Sequence, residues 1–133
     1  MLVLKEKPTV YVDVDETLVS FEARYKSCAK IKVGPEGAKM NAFINEYVVD
    51  KIKEFRARGH NVIIWSAGGA DWAHTVVKSL KLEDYVDAIM PKPSWFFDDQ
   101  PSTTYMPESN RIHIRFDGSQ VDLGGYILEE LSE

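Results

Sequence analysis

Apolar and polar positions along the chain fall into short blocks of two distinct periods. Val10, Tyr11 and Val12 follow Pro8 as a β-rich run that halts at acids, which predicts a strand over 9–12. Ile44, Val48, Ile52 and Phe55 recur at intervals of four, four and three. That is one face of a 3.6-residue period, and it predicts a helix over 41–58. Lys53, Arg56 and Arg58 crowd its last turns, where cations suit the macrodipole, and Gly59 follows as a stop. Asn61-Val62-Ile63-Ile64-Trp65 is an almost continuous apolar run, the mark of a strand buried on both faces in a parallel sheet. Ala73, Val76, Val77 and Leu80 form the inner stripe of a second helix over 70–81.

The remainder is read more coarsely. A strand is expected over 86–90, and Trp95-Phe96-Phe97 is an apolar run leading into Asp98-Asp99. Residues 101–110 read as a polar loop, 112–116 as an alternating strand, Asp117-Gly118 as a turn and 126–131 as a closing helix. Residues 19–39 show no clear period and carry Gly34-Pro35-Glu36-Gly37, which fits a small hairpin or flap. There are no internal repeats, low-complexity tracts or linkers, so 1–133 reads as a single domain. Strand, helix, strand, helix, strand implies an α/β fold with a mainly parallel sheet. Ligands in such sheets bind beyond the carboxyl ends of the strands. Asp13, Asp15, Ser66, Asp98 and Asp99 are thereby expected at one edge, with Trp65 and Phe97 in the core.

Composition narrows the function classes. The chain has 133 residues, 16 Lys and Arg against 21 Asp and Glu, and a net charge of −5. That balance weighs against broad non-specific nucleic-acid binding, though it permits a local grip on one or two phosphates. Cys28 is the single cysteine, so an intrachain disulfide and a thiolate metal cage are excluded, and Cys28 reads as a small apolar filler. The leading MLVL is too short for a signal peptide, and no run reaches the ~20 apolar residues of a membrane span. A soluble, cytoplasmic protein without a membrane partner is expected. His60, His74 and His113 stand in no ligand spacing and read as packing or surface residues.

The chemically informative stretch is Asp13-Val14-Asp15-Glu16-Thr17, three acids in four residues at a strand end. At ~4 Å and an effective dielectric of ~20, each like-charged pair costs about 4 kcal/mol, so something positive is expected there. Oxygen donors throughout, with Asp13, Asp15, Asp98 and Asp99 as candidate ligands, favour Mg²⁺ over Zn²⁺. Mg²⁺ keeps several waters and takes one or two carboxylates, which leaves room for a substrate phosphate. One carboxylate would attack phosphorus and a second would protonate the leaving oxygen, while a hydroxyl and an ammonium hold the other phosphate oxygens.

These residues resemble the haloacid-dehalogenase (HAD) superfamily of Mg²⁺-dependent phosphatases. The family's Asp-x-Asp-x-Thr after an apolar strand is matched by Asp13-Val14-Asp15-Glu16-Thr17, and its strand-ending Ser or Thr by Ile63-Ile64-Trp65-Ser66. Its Lys, commonly followed by Pro, is similar to Lys92-Pro93, and its acidic pair to Asp98-Asp99. The similarity runs from about Thr9 to Gln100. It implies a three-layer Rossmannoid fold, an aspartyl-phosphate on Asp13, and Asp15 as general acid and later base with its backbone carbonyl on the metal. It further implies that Thr17 buttresses the loop, Ser66 and Lys92 bind phosphate, and Asp98 completes the metal shell beside Asp99. The family's helix between Lys and the acidic pair does not fit between Lys92 and Asp98, so Lys78 and Lys81 are alternatives to Lys92. The intervals between motifs hold only a flap and two helices, which implies a capless, open site, admitting a large substrate or closed by a second copy.

The expected activity is a phosphatase acting on a phosphorylated small molecule or nucleic-acid end. The Asp-x-Asp-Glu-Thr-Leu wording is also similar to capless phosphatases of the RNA polymerase C-terminal domain, which keeps phosphoproteins among the candidates. Trp72 and Trp95 lie where a ring could stack on a base, and Tyr25, Lys26 and Lys30 lie on the flap. Two rivals come from other classes. A signalling receiver also unites acids, a hydroxyl and a Lys, but there the acidic pair comes first in the chain, whereas here it comes last. A non-catalytic binding module of the same fold would bind Mg²⁺ without turnover.

Overall fold

The computed structural model describes residues 1–22, 29–101, 106–116 and 121–122. β1 (Thr9–Asp13) runs parallel to β5 (Asn61–Ser66), and β5 runs parallel to β6 (Ala88–Pro91), giving the order β1-β5-β6. Between β1 and β5 the chain forms β2 (Val19–Ser20), β3 (Lys30–Val33) and β4 (Met40–Ile44), a three-stranded antiparallel sheet in the order β2-β4-β3. Helix α1 (Glu46–Ala57) then leads into β5, and α2 (Ala70–Ser79) links β5 to β6. A last antiparallel pair joins β7 (Arg115–Phe116) to β8 (Val121–Asp122). The chain is therefore mixed α/β with a parallel three-stranded sheet, as its periodicity implies.

β5 is central because its side chains are apolar on both faces: Val62, Ile63 and Ile64 are fully buried. Each contributes about 1.5–3 kcal/mol by leaving water. Val62 and Ile64 share one cluster with Val48 and Ile52 of α1 and with Ala73, Val76 and Val77 of α2. Both helices thus cover the same face of β5. On the other face, Tyr11 stacks on Trp65 with ring centroids 4.5 Å apart. Val33 of the smaller sheet joins the same core, so the flap packs down onto the domain.

Several expectations change. The helix predicted over 41–58 begins at Glu46, because Asn45 caps it, its side-chain oxygen accepting the Val48 N–H at 3.3 Å. The preceding residues pair as a strand instead, Phe43 with Ser20 and Lys30, and Ala42 with Ile31. The predicted hairpin is a three-stranded sheet for this reason. Trp95-Phe96-Phe97 is not a strand, and Phe97 is 93% exposed instead of buried in the core. Pro91, Pro93 and Pro101 remove backbone donors around this run, which denies it a ladder. The expected strand over 112–116 is confined to Arg115–Phe116. The turn at Asp117-Gly118, the helix over 126–131, Cys28, Tyr25 and Lys26 lie outside the described residues.

Candidate active site

The loop after β1 is tightly made. The Val14 carbonyl accepts the N–H groups of Thr17, Leu18 and Val19 at 3.3, 2.9 and 3.2 Å, and the Glu16 N–H donates to the Val19 carbonyl at 2.8 Å. Val14 and Leu18 are fully buried and anchor the loop from below. Glu16 adopts φ 61°, a left-handed conformation that costs a non-glycine residue roughly 1 kcal/mol. Such strain persists only where surrounding contacts over-determine it. The result turns Asp13 and Asp15 away from the core, at the carboxyl end of β1.

Asp13 is the hub. Its Oδ1 lies 3.1 Å from the Lys92 Nζ, and its Oδ2 accepts the Thr17 hydroxyl at 3.2 Å. Lys92 follows β6 directly, and its own N–H donates to the Ser66 carbonyl at 3.0 Å. That bond fixes the lysine at the carboxyl end of the parallel sheet although no helix follows it. Lys92 thus supplies one positive charge beside Asp13. Lys92 and Asp13 keep 39% and 29% of their side chains exposed, so the pair is reachable from solvent.

Ser66 ends β5 and is buried. Its Oγ accepts the Gly68 N–H at 3.0 Å and its carbonyl accepts the Gly69 N–H at 3.1 Å, so it shapes the turn into α2. Gly69 has φ 105° and begins α2 without any side-chain cap, leaving the first amides of that helix bare. Trp72, in the first turn of α2, donates its indole N–H to Asp15 Oδ1 at 3.1 Å. A Cβ built on Gly68 would come 3.2 Å from the Trp72 ring and 3.3 Å from the Ser66 Oγ, so the ring or the hydroxyl would have to give by a few tenths of an ångström. Phe21 stacks against Trp72 at 5.8 Å. No local sequence pattern signals the Trp72–Asp15 bond, because only the fold brings the start of α2 against the loop after β1.

Asp98 and Asp99 behave differently. Both are exposed, and Asp98 Oδ1 accepts the Gln100 N–H at 3.0 Å, closing a local turn. A side-chain hydrogen bond with Asp99, helped by the Gln100 N–H, holds the Asp98 carboxyl below its ordinary value. Among the described residues, no three His, Cys, Asp or Glu side chains gather where they could hold a metal ion. The four carboxylates expected to share one ion are therefore not assembled into a common donor set.

Asp87 sits elsewhere and is structural. It pairs with Arg56 and accepts the Val62 N–H at 2.8 Å, tying α1 to the sheet. Burial pushes its carboxyl up, but the bonds from Arg56 and Val62 outweigh this and leave it below the ordinary value. A groove of about 450 Å³ lined by Asp71, His74, Glu83 and Asp87, among others, includes none of Asp13, Asp15, Ser66 and Lys92. His60 packs edge-on against Phe55, while His74 and His113 are exposed. No helix among the described residues is long and apolar enough to cross a membrane. Comparison with family models, with curated proteins and with solved structures finds no match to this chain.

Proposed function

We propose that this chain is a Mg²⁺-dependent phosphomonoesterase of the haloacid-dehalogenase type, capless and flanked by the small β2-β4-β3 sheet. The observation that carries the reading is the contact of Asp13 with both an ammonium (Lys92) and a hydroxyl (Thr17) at the carboxyl end of β1. Ser66 ends the neighbouring strand, so the residues of three motifs meet at one sheet edge.

An Asp13 oxygen attacks phosphorus while the bond to the leaving oxygen breaks, and Asp15 gives that oxygen its proton. Water then attacks the aspartyl-phosphate, loses its proton to Asp15, and releases phosphate and Asp13. Lys92 exchanges its contact with Asp13 for the equatorial phosphate oxygens, where charge spreads in the transition state. The bare amides at the start of α2 and the Ser66 hydroxyl would bind the same anion. Trp72 orients Asp15 through its indole N–H.

The residues fit a hard cation, because the donors at the end of β1 are all oxygens and Mg²⁺ takes only one or two carboxylates. Asp13 and the Asp15 backbone carbonyl would hold it. When bound, it neutralises phosphate charge that would otherwise repel the acids. The decisive experiment is turnover of a panel of phosphomonoesters, including 3′- and 5′-phosphorylated oligonucleotides and a phosphopeptide, with and without Mg²⁺. Mg²⁺-dependent phosphate release supports the reading, and none from any substrate refutes it.

One observation favours a non-catalytic module of the same fold. Among the described residues no three His, Cys, Asp or Glu side chains gather, and Asp98 accepts the Gln100 N–H, which gives a thinner metal set than the family pattern implies. Mg²⁺ binding without phosphate release is the outcome that reading requires.

A further inference from the structure

The segment after Lys92 exposes aromatic rings in succession: Trp95 is 86% exposed, Phe96 47% and Phe97 93%. Rings of this size are ordinarily buried, and a contiguous exposed group marks an interaction surface. Its position is informative. Trp95 follows Lys92 by three residues, so their Cα atoms lie within about 11 Å of each other, and the Lys92 ammonium sits 3.1 Å from Asp13. At the same strand end, Trp72 is bonded to Asp15 and packs against Phe21. A cation beside a carboxylate, with exposed aromatic rings a few residues along the chain, suits a ligand that joins a phosphate to a planar ring.

We propose that this rim binds the base adjacent to a terminal phosphate, with Trp95 as the stacking platform, so that the substrate is a nucleotide or a phosphorylated polynucleotide end. The inference rests on the phosphatase reading and names its substrate class. Base-on-aromatic stacking tolerates any sequence, because every base has a π face, and needs no broadly basic surface. Only one phosphate must reach Lys92, which is compatible with a net charge of −5. Asp98 and Asp99, directly after the rings, oppose an anionic lipid surface.

The test compares hydrolysis of a phosphorylated dinucleotide with that of glycerol phosphate, which has no ring. Trp95→Ala lowers the ratio of their kcat/KM values roughly tenfold, the loss of one stacked base. A ratio within twofold of the parent overturns the proposal. A second readout does not depend on turnover. The Trp95 indole resonance, assigned from a Trp95→Phe spectrum, is followed by proton NMR in the full chain. It moves upfield on addition of a nucleoside monophosphate or of the dinucleotide, run as separate arms, and not with glycerol phosphate. The arm with the larger shift separates free nucleotide from polynucleotide end. No shift in either arm overturns the proposal, as does a response only to phosphatidylcholine vesicles or only to raised protein concentration. Absence of hydrolysis together with a nucleotide-induced shift instead defeats the phosphatase reading and leaves the base site standing.

Discussion

Replacing Lys92 with Met removes one ammonium and keeps most of the stem. The ion pair it breaks is only partly buried, with 39% of Lys92 and 29% of Asp13 exposed. Such pairs are worth at most about 1 kcal/mol, since solvent screens them and two side chains must be ordered. For a domain of this size that corresponds to a drop in Tm of about 4 °C or less. The catalytic consequence is much larger. Removing a preorganised positive group from the developing charge of a transition state costs roughly a hundred- to a thousandfold in kcat, or about 3–4 kcal/mol. The same samples should therefore be melted by circular dichroism and assayed for kcat/KM on one phosphomonoester. A nearly unchanged melt with at least a hundredfold loss of turnover is expected. A loss below tenfold would remove Lys92 from phosphate binding, and a Tm drop above about 10 °C would make it a structural residue.

Further outcomes follow from the same geometry. Asp87→Asn should destabilise the fold by about 2 kcal/mol, because Arg56 and the Val62 N–H lose a charged acceptor. The Asp87 carboxyl lies lower folded than its ordinary value of 3.8, so its stabilisation is complete above that pH and drains as pH falls through the folded value. Parent and variant melts should therefore differ at pH 7 and converge in acid, and a constant gap down to pH 2 would contradict this. Asp98→Asn should change the Mg²⁺ concentration needed for half-maximal turnover by less than threefold, since Asp98 caps its own turn. A shift above tenfold would place Asp98 with Asp13 in one donor set.

The periodic parts of the chain were legible because one signal governed them. The run over 61–65 and the stripe of Ala73, Val76 and Val77 lie in β5 and α2 where the pattern implies. The helix starts later than the periodicity implies, because Ile44 continues the helical spacing while belonging to a strand. The Asn45 cap, a local polar bond, decided the boundary against that periodicity. Asp13, Thr17, Ser66 and Lys92 were readable as strand-end residues, and the fold brings them together. The apolar run before Asp98 and Asp99 implies a strand, but prolines on both sides of Trp95-Phe96-Phe97 outweigh its hydrophobicity. The Trp72–Asp15 bond spans 57 residues, and no local pattern announces a contact of that range.

Covalent capture of phosphorus at residue 13 bears most directly on the account. Protein quenched in acid during turnover with Mg²⁺ should carry a single added phosphoryl group, located by peptide mass spectrometry on Asp13 and absent from Asp13→Asn. Sustained phosphate release with that residue unmodified, or undiminished release by Asp13→Asn, would contradict it.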